Sequence, residues 1–220
     1  MPKLVLIDLD HTLIERRVPV ADSVARFCAA RGLGQDAARR LAAALKDRTS
    51  PDTFAALREP LGLPGSTEEL WAAYVAALAA DVTHEPATLT GLDRLRAAGW
   101  TVGVLSNGVT DVQRAKIHAA GIHHHVDAVC ISEEAGARKP DPEVFRIAAE
   151  RCGLPLSSAT WMVGNNPATD ITGATAAGIR SLWISAGRPW TADQPATPDH
   201  IEDDVAGAAG HLLALTGAGG

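Results

Sequence analysis

Four short clusters along this 220-residue chain carry side chains suited to chemistry. Asp8 and Asp10 stand in Asp8-Leu9-Asp10-His11-Thr12-Leu13, directly after the apolar run Leu4-Val5-Leu6-Ile7. Ser106-Asn107-Gly108 follows a second apolar run, Lys139 precedes Asp141-Pro142, and Gly164-Asn165 precedes Asn166-Pro167 with Asp170 close behind. Carboxylates suit a hard divalent cation. A hydroxyl, an amide and an ammonium suit the oxygens of a phosphoryl group, whose negative charge they offset. The set points to phosphate chemistry, provided the chain brings the four clusters together.

The elements between the clusters predict that it does. From Gly91 onward one cadence repeats: an alanine-rich helix, a glycine, then a short apolar run. Ala97-Ala98-Gly99-Trp100, Ala119-Ala120-Gly121-Ile122, Arg151-Cys152-Gly153-Leu154 and Ala176-Ala177-Gly178-Ile179 each read as a helix stopped by a left-handed glycine. The apolar runs at 101–105, 128–131, 160–163 and 181–184 are expected strands, and residues 3–8 the first of them. Strands alternating with helices give the α/β class, a parallel sheet covered on both faces. Such sheets bind ligands at the carboxyl ends of their strands, where all four clusters fall. Thr110 with Gln113 has capping-box spacing, and Asp141-Pro142 and Asn166-Pro167 each pair an N-cap with proline in the first turn.

Between the first strand and Gly91 the period changes. Val20, Val24, Phe27 and Cys28, Leu41 with Leu45, Phe54 with Leu57 and Leu61, and Leu70, Tyr74, Ala77 and Leu78 fit four short amphipathic helices. Ser50-Pro51 and Ser66 with Glu69 supply start signals, and no strand is expected in this stretch. Residues 15–88 therefore form a small all-helical insert, while residues 1–14 and 89–220 form one α/β domain, since residues 3–14 are too short to fold alone. The last five residues, 216–220, are expected to fray.

With 46% hydrophobic and 21% charged residues the chain can bury a real core. No apolar run approaches the roughly 20 residues of a membrane span. Met1-Pro2-Lys3 leads into a run too short for a signal segment. Cys28, Cys130 and Cys152, widely spaced among apolar neighbours, suit reduced thiols and a cytoplasmic location. A net charge of -6 argues against nucleic acid as a partner, and no membrane partner is expected.

Asp-x-Asp-x-Thr at Asp8 to Thr12, the strand-end Ser106, Lys139-Pro140-Asp141, and Gly164-Asn165 with Asp170 six residues after the glycine resemble, in order, the four motifs of haloacid dehalogenase-like hydrolases. The stretch 104–185 is similar to the branch that contains sialic-acid-phosphate and nucleotide phosphatases. The resemblance implies a Rossmann-like α/β core with a helical cap inserted after the first motif. It implies that Asp8 attacks phosphorus to form an aspartyl phosphate and that Asp10 acts as acid and base. Ser106, Asn107 through its backbone amide, Gly108 and Thr12 serve the phosphate, Thr12 by bracing the first loop, and Lys139 offsets the transferring charge. Asp8, the Asp10 carbonyl, Asn165 and Asp170 are the implied ligands of Mg2+, and the substrate is a small phosphorylated metabolite.

One position departs from that pattern. Most members have an acid where this chain has Asn165, so the magnesium site loses a negative charge and Lys139 loses an ionic partner. The alternative is a weakened or inactive protein that binds phosphate for regulation. Carbon–halogen hydrolysis is disfavoured, because that chemistry needs neither magnesium nor an acid at Asp10. His11 reads as a loop residue, and His123-His124-His125 as surface histidines on an extended segment. Arg16, Arg17 and Arg48 read as solvated charge. Trp190 is either an entrance residue or packing within the Pro-rich stretch 188–198, which follows the last expected strand.

Overall fold

The computed structural model describes residues 3–47 and 49–217. Contacts divide the chain into two compact units, one of residues 1–15, 84–110 and 120–220 and one of residues 16–83 and 111–119. Arg48 and residues 218–220 lie outside the described residues.

The chain begins with β1 (Lys3–Ile7) and runs through β2 (Glu15–Arg16), α1 (Val20–Ala29), α2 (Gln35–Asp47), α3 (Pro51–Leu57), α4 (Thr67–Ala80) and β3 (Val82–Thr83). It continues with α5 (Pro86–Ala97), β4 (Trp100–Ser106), α6 (Thr110–Ala119), β5 (Ala128–Ile131), α7 (Ser132–Ala135) and α8 (Pro142–Arg151). β6 (Trp161–Gly164), a wide turn (Pro167–Ile171), α9 (Thr172–Ala176), β7 (Arg180–Ile184), β8 (His200–Glu202) and α10 (Val205–Gly217) complete it.

Six strands form one sheet in the order β5-β4-β1-β6-β7-β8, with neighbouring strands parallel. β1 lies between β4 and β6, with Ile7 opposite both Val104 and Val163. Every residue of β1 after Lys3 is buried, as expected of a strand covered on both faces. On one face Leu4 and Leu6 join Leu105, Cys130, Val144, Phe145, Met162 and Ala174 in a core closed by α8 and α9. Elsewhere α5 packs on β4 and α10, and a Cβ on Gly91 would meet Ala209 Cβ at 3.2 Å. Gly99, Gly121, Gly153 and Gly178 have φ of 79°, 70°, 71° and 68°, the left-handed stops that the cadence predicts.

In the second unit α1, α3 and α4 gather Phe27, Phe54, Trp71 and Tyr74 into a ring cluster with centroids 5.4–6.4 Å apart. Such edge and tilted contacts add to the burial of each ring. Ser66 and Glu69 form the expected capping box at α4, while Ser50 caps α3 without a side-chain bond to its backbone. Residues 111–119 of α6 belong with this unit, and Trp71 Nε1 donates to Asp111 Oδ2 at 2.8 Å.

The structure corrects several expectations. The insert is not wholly helical, because β2 and β3 pair as a two-stranded ribbon. Each is two residues long, too short to leave a period in the sequence. β8 follows the Pro-rich stretch and extends the sheet; with Ile201 42% exposed it has no apolar run to announce it. His123 and His124 lie in a 3-10 turn rather than an extended segment, and His125 Nδ1 is 2.7 Å from Asp93 Oδ1. α10 carries helix as far as Gly217, through two residues expected to fray.

Candidate active site

β1 ends at Ile7 and delivers Asp8, whose N–H donates to Val163 O on β6 at 2.9 Å. The following loop folds tightly: the Leu9 carbonyl accepts from the N–H groups of Thr12, Leu13 and Ile14 at 3.3, 3.0 and 3.0 Å. His11 closes this turn at φ 60°, in the left-handed region, and its Nδ1 lies 2.8 Å from Glu15 Oε2. The side chain serves the loop, as its sequence position suggests. Thr12 Oγ1 donates to Asp8 Oδ2 at 3.2 Å, and Asp10 is half-buried beside them.

Lys139 binds the cluster together. Its ammonium is buried, 2.6 Å from Asp8 Oδ1, 2.7 Å from Asp170 Oδ1 and 2.8 Å from the Leu105 carbonyl at the end of β4. Lys139 is thus not short of an ionic partner, despite Asn165: Asp8 and Asp170 both fill that role. The Asn107 side chain holds the Lys139 backbone on both sides, accepting its N–H and donating to its carbonyl, each at 2.9 Å. Sequence reasoning assigned Asn107 only a backbone role; an amide at a strand end was the available signal for this docking. Ser106 is buried at the last position of β4. The Gly108 N–H donates to Ser132 Oγ at 3.0 Å, so this amide serves the scaffold at the end of β5.

Asp170 reaches the cluster because β6 ends in a glycine. A Cβ on Gly164 would lie 2.3 Å from Asp170 Oδ2, so only glycine permits the approach. Asn166 caps the wide turn, accepting from the N–H groups of Ala168 and Thr169, and its own N–H donates to Asp170 Oδ2 at 2.9 Å. The Asn165 carbonyl accepts from Trp183 Nε1 at 3.0 Å and Arg188 Nη2 at 3.2 Å. No side-chain hydrogen bond of the Asn165 amide occurs among the described residues. Trp190 packs its ring edge on Trp183 at 4.8 Å, a loop-packing role. Trp183 and Arg188 carried no signal in the sequence, since what they hold is a main-chain atom.

Asp8 and Asp170 share the Lys139 ammonium, and the Asp10 carboxylate lies near Asp8. Burial, then the nearby Asp170 and Asp10 carboxylates, push the Asp8 pKa up to about 6 against the opposing pull of Lys139. Burial also works against the Lys139 ammonium, but Asp170 and Asp8 outweigh it and hold its pKa above the ordinary lysine value. A divalent cation fits this donor set: it would take up two units of negative charge beside oxygen ligands alone. Asp8, Asp170, the free Asn165 amide oxygen and a main-chain carbonyl could hold one.

The family model of the haloacid dehalogenase-like hydrolases matches residues 2–178. The chain belongs to that family. Over 109 residues it is 44% identical to a phosphoserine phosphatase of Thermus thermophilus, covering 49% of this chain and 43% of that protein. It is 37% identical over 117 residues to a glyceraldehyde 3-phosphate phosphatase of Methanothermobacter thermautotrophicus, covering 53% of this chain and 49% of that protein. The chain thus spans about half the length of these curated relatives. The crystal structure of a 2-haloacid dehalogenase from Pseudomonas syringae pv. Tomato shares the fold at TM-score 0.75 and 24% identity, with 98% of this chain and 100% of that one covered. Phosphatases and dehalogenases within one family leave the chemistry to the site itself.

Proposed function

We propose that this haloacid dehalogenase-like hydrolase cleaves a small phosphate monoester, with magnesium, through an aspartyl phosphate on Asp8. The observation that carries the reading is the Asp8 carboxylate at the end of β1, gripped by Lys139 on Oδ1 and Thr12 on Oδ2 and linked through Lys139 to Asp170. This arrangement orients a nucleophile and supplies a fixed positive charge where phosphoryl charge would lie. Bound magnesium, held by Asp8, Asp170, Asn165 and the Asp10 carbonyl, would supply Lewis-acid polarisation of the phosphoryl oxygens.

In the first step Asp8 forms a bond to phosphorus while the bond to the leaving alkoxide breaks, and Asp10 protonates that oxygen. In the second, Asp10 takes a proton from water, which attacks the aspartyl phosphate and releases inorganic phosphate and the regenerated Asp8. Ser106 and the Asn107 backbone amide are proposed to hold phosphoryl oxygens. The helical unit is proposed as the cap that supplies selectivity. Names of the relatives favour small phosphorylated metabolites, and a net charge of -6 weighs against nucleic acid. Free thiols at Cys28, Cys130 and Cys152 favour a cytoplasmic setting. Among the described residues no helix is long and apolar enough to cross a membrane.

The test is a panel of sugar phosphates, nucleotides, phosphoserine and glycolytic phosphates assayed with magnesium and with EDTA, plus beryllium fluoride trapping at Asp8. Hydrolysis dependent on magnesium is expected. Equal rates in EDTA would overturn the reading. A protein inactive throughout, whose Asn165→Asp variant turns over, would support the alternative of a phosphate-binding regulator.

A further inference from the structure

We propose that His200, Glu202 and His211 form a second metal site that takes a borderline transition-metal ion, zinc foremost. The three belong to the edge of the sheet. His200 and Glu202 are two residues apart on β8 and so share a face of that strand, and His211 lies on α10, which packs on β8. Among the described residues, one ligand atom from each of the three lies within 4.8 Å of those of the other two.

The three side chains already meet one another. The imidazoles of His200 and His211 stack with centroids 3.5 Å apart and planes at 14°, and His200 Nε2 is 2.8 Å from Glu202 Oε1. Trp161 braces His211 with its ring edge at 5.6 Å. On α10 a glycine makes room for the acid: a Cβ at Gly207 would lie 2.7 Å from Glu202 Oε2. Four-coordinate zinc with bonds of about 2.0–2.2 Å spaces its donors about 3.3–3.5 Å apart, and it lies near the plane of each imidazole it binds, so the donors must close by about 1 Å and one ring must turn out of the stack. The side chains of His200 and Glu202 are 35% and 31% exposed, which permits those shifts and leaves a fourth position to water.

Ligand chemistry separates this site from the Asp8 cluster. Two imidazoles and one carboxylate select zinc, nickel or copper over magnesium, which requires oxygen. Position separates it too. β8 is the edge strand, three strands from β1 and about 14 Å away at ordinary strand spacing. An ion here would pin a three-residue edge strand to the last helix. It would also steady the loop after β7, because the Ser185 N–H donates to the Glu202 carbonyl at 2.8 Å.

The experiment uses the full chain without an affinity tag, stripped with EDTA and titrated with zinc chloride in the presence of millimolar magnesium. One equivalent of zinc should bind at micromolar concentration or below and raise the melting temperature, and the Asp8→Asn variant should bind it equally. His211→Ala, and separately Glu202→Gln, should weaken binding at least tenfold, while His124→Ala in the other histidine cluster should not. Should His211→Ala fail to fold without metal, His200→Ala on the edge strand provides the same reading. The proposal is overturned if zinc binds no tighter than about 100 μM, or if His200→Ala and Glu202→Gln bind it as the parent does.

Discussion

Gly164→Ala adds one methyl group at the tightest point of the candidate site. Its Cβ would stand 2.3 Å from Asp170 Oδ2 and 2.4 Å from Asp170 Cγ, where ordinary contact begins at 3.4 Å. Asp170 must then retreat by about 1 Å. It is buried, with Oδ1 2.7 Å from Lys139 Nζ and Oδ2 2.9 Å from the Asn166 N–H, and a retreat of that size breaks one of these bonds. Losing a charge-assisted bond to a buried carboxylate costs about 2–4 kcal/mol, against at most about 1 kcal/mol gained by restricting the unfolded chain. Urea unfolding in EDTA should therefore show a net loss of about 2–3 kcal/mol. The magnesium concentration for half-maximal rate should rise about tenfold or more, because a proposed ligand has moved. Gly103→Ala is the control: its Cβ would meet Cys152 Sγ at 2.6 Å and Leu6 Cδ2 at 3.0 Å, both in the core. That variant should lose about 1–3 kcal/mol with its magnesium dependence unchanged. A Gly164→Ala protein within about 0.5 kcal/mol of the parent, or with the same magnesium dependence as Gly103→Ala, would refute the reasoning.

Asp8→Asn should lower phosphatase turnover by at least about a thousandfold while the circular dichroism spectrum stays unchanged, since an amide cannot attack phosphorus. Asn165→Asp should lower the magnesium concentration for half-maximal rate by about one to two powers of ten by restoring a charged ligand; an identical titration would mean that residue 165 does not approach the cation. The metal-free protein should lose stability as pH rises. Burial and two neighbouring carboxylates raise the folded pKa of Asp8 from 3.8 to about 6, so its contribution is fully present below about pH 4 and gone above about pH 6. The loss is on the order of 3 kcal/mol, measured as the parent's urea stability in EDTA against pH relative to Asp8→Asn; parallel curves would contradict it.

β1 and β4 to β7 were legible because apolar composition alone marks a doubly covered strand, and α5, α6, α8 and α9 because a glycine stop announces the helix before it, whereas α7 and α10 end at no such signal that was read. The first two helices of the insert, α1 and α2, were legible for the complementary reason, a one-sided apolar stripe, whereas α4 is apolar nearly all round and was marked by its capping box. β8 was not, since a polar edge strand differs from a loop only in whom it pairs with. At the site, the positions of Asp8, Lys139 and Asp170 followed from strand ends and motif order. What escaped were partners that act through main-chain atoms: Asn107 on the Lys139 backbone, and Trp183 and Arg188 on the Asn165 carbonyl. Main-chain groups are the same in every sequence, so nothing in the residue pattern points to them.

The Lys139 ammonium meets Asp8 across 131 residues and the Leu105 carbonyl across 34. Those contacts require β1, β4 and β6 to be paired in one register, because a slip of one residue moves a strand end by about 3.3 Å and turns its side chains to the other face. Such long-range closure belongs late in folding, after the local helices and the intervening loops have formed. The candidate cluster therefore forms only on a correctly paired scaffold. A partly folded or misregistered chain presents Asp8 without its ammonium and without Asp170, and so lacks the arrangement proposed to make Asp8 a nucleophile. Recovery of activity on refolding would then count correctly paired sheets, where helix content recovers with or without them.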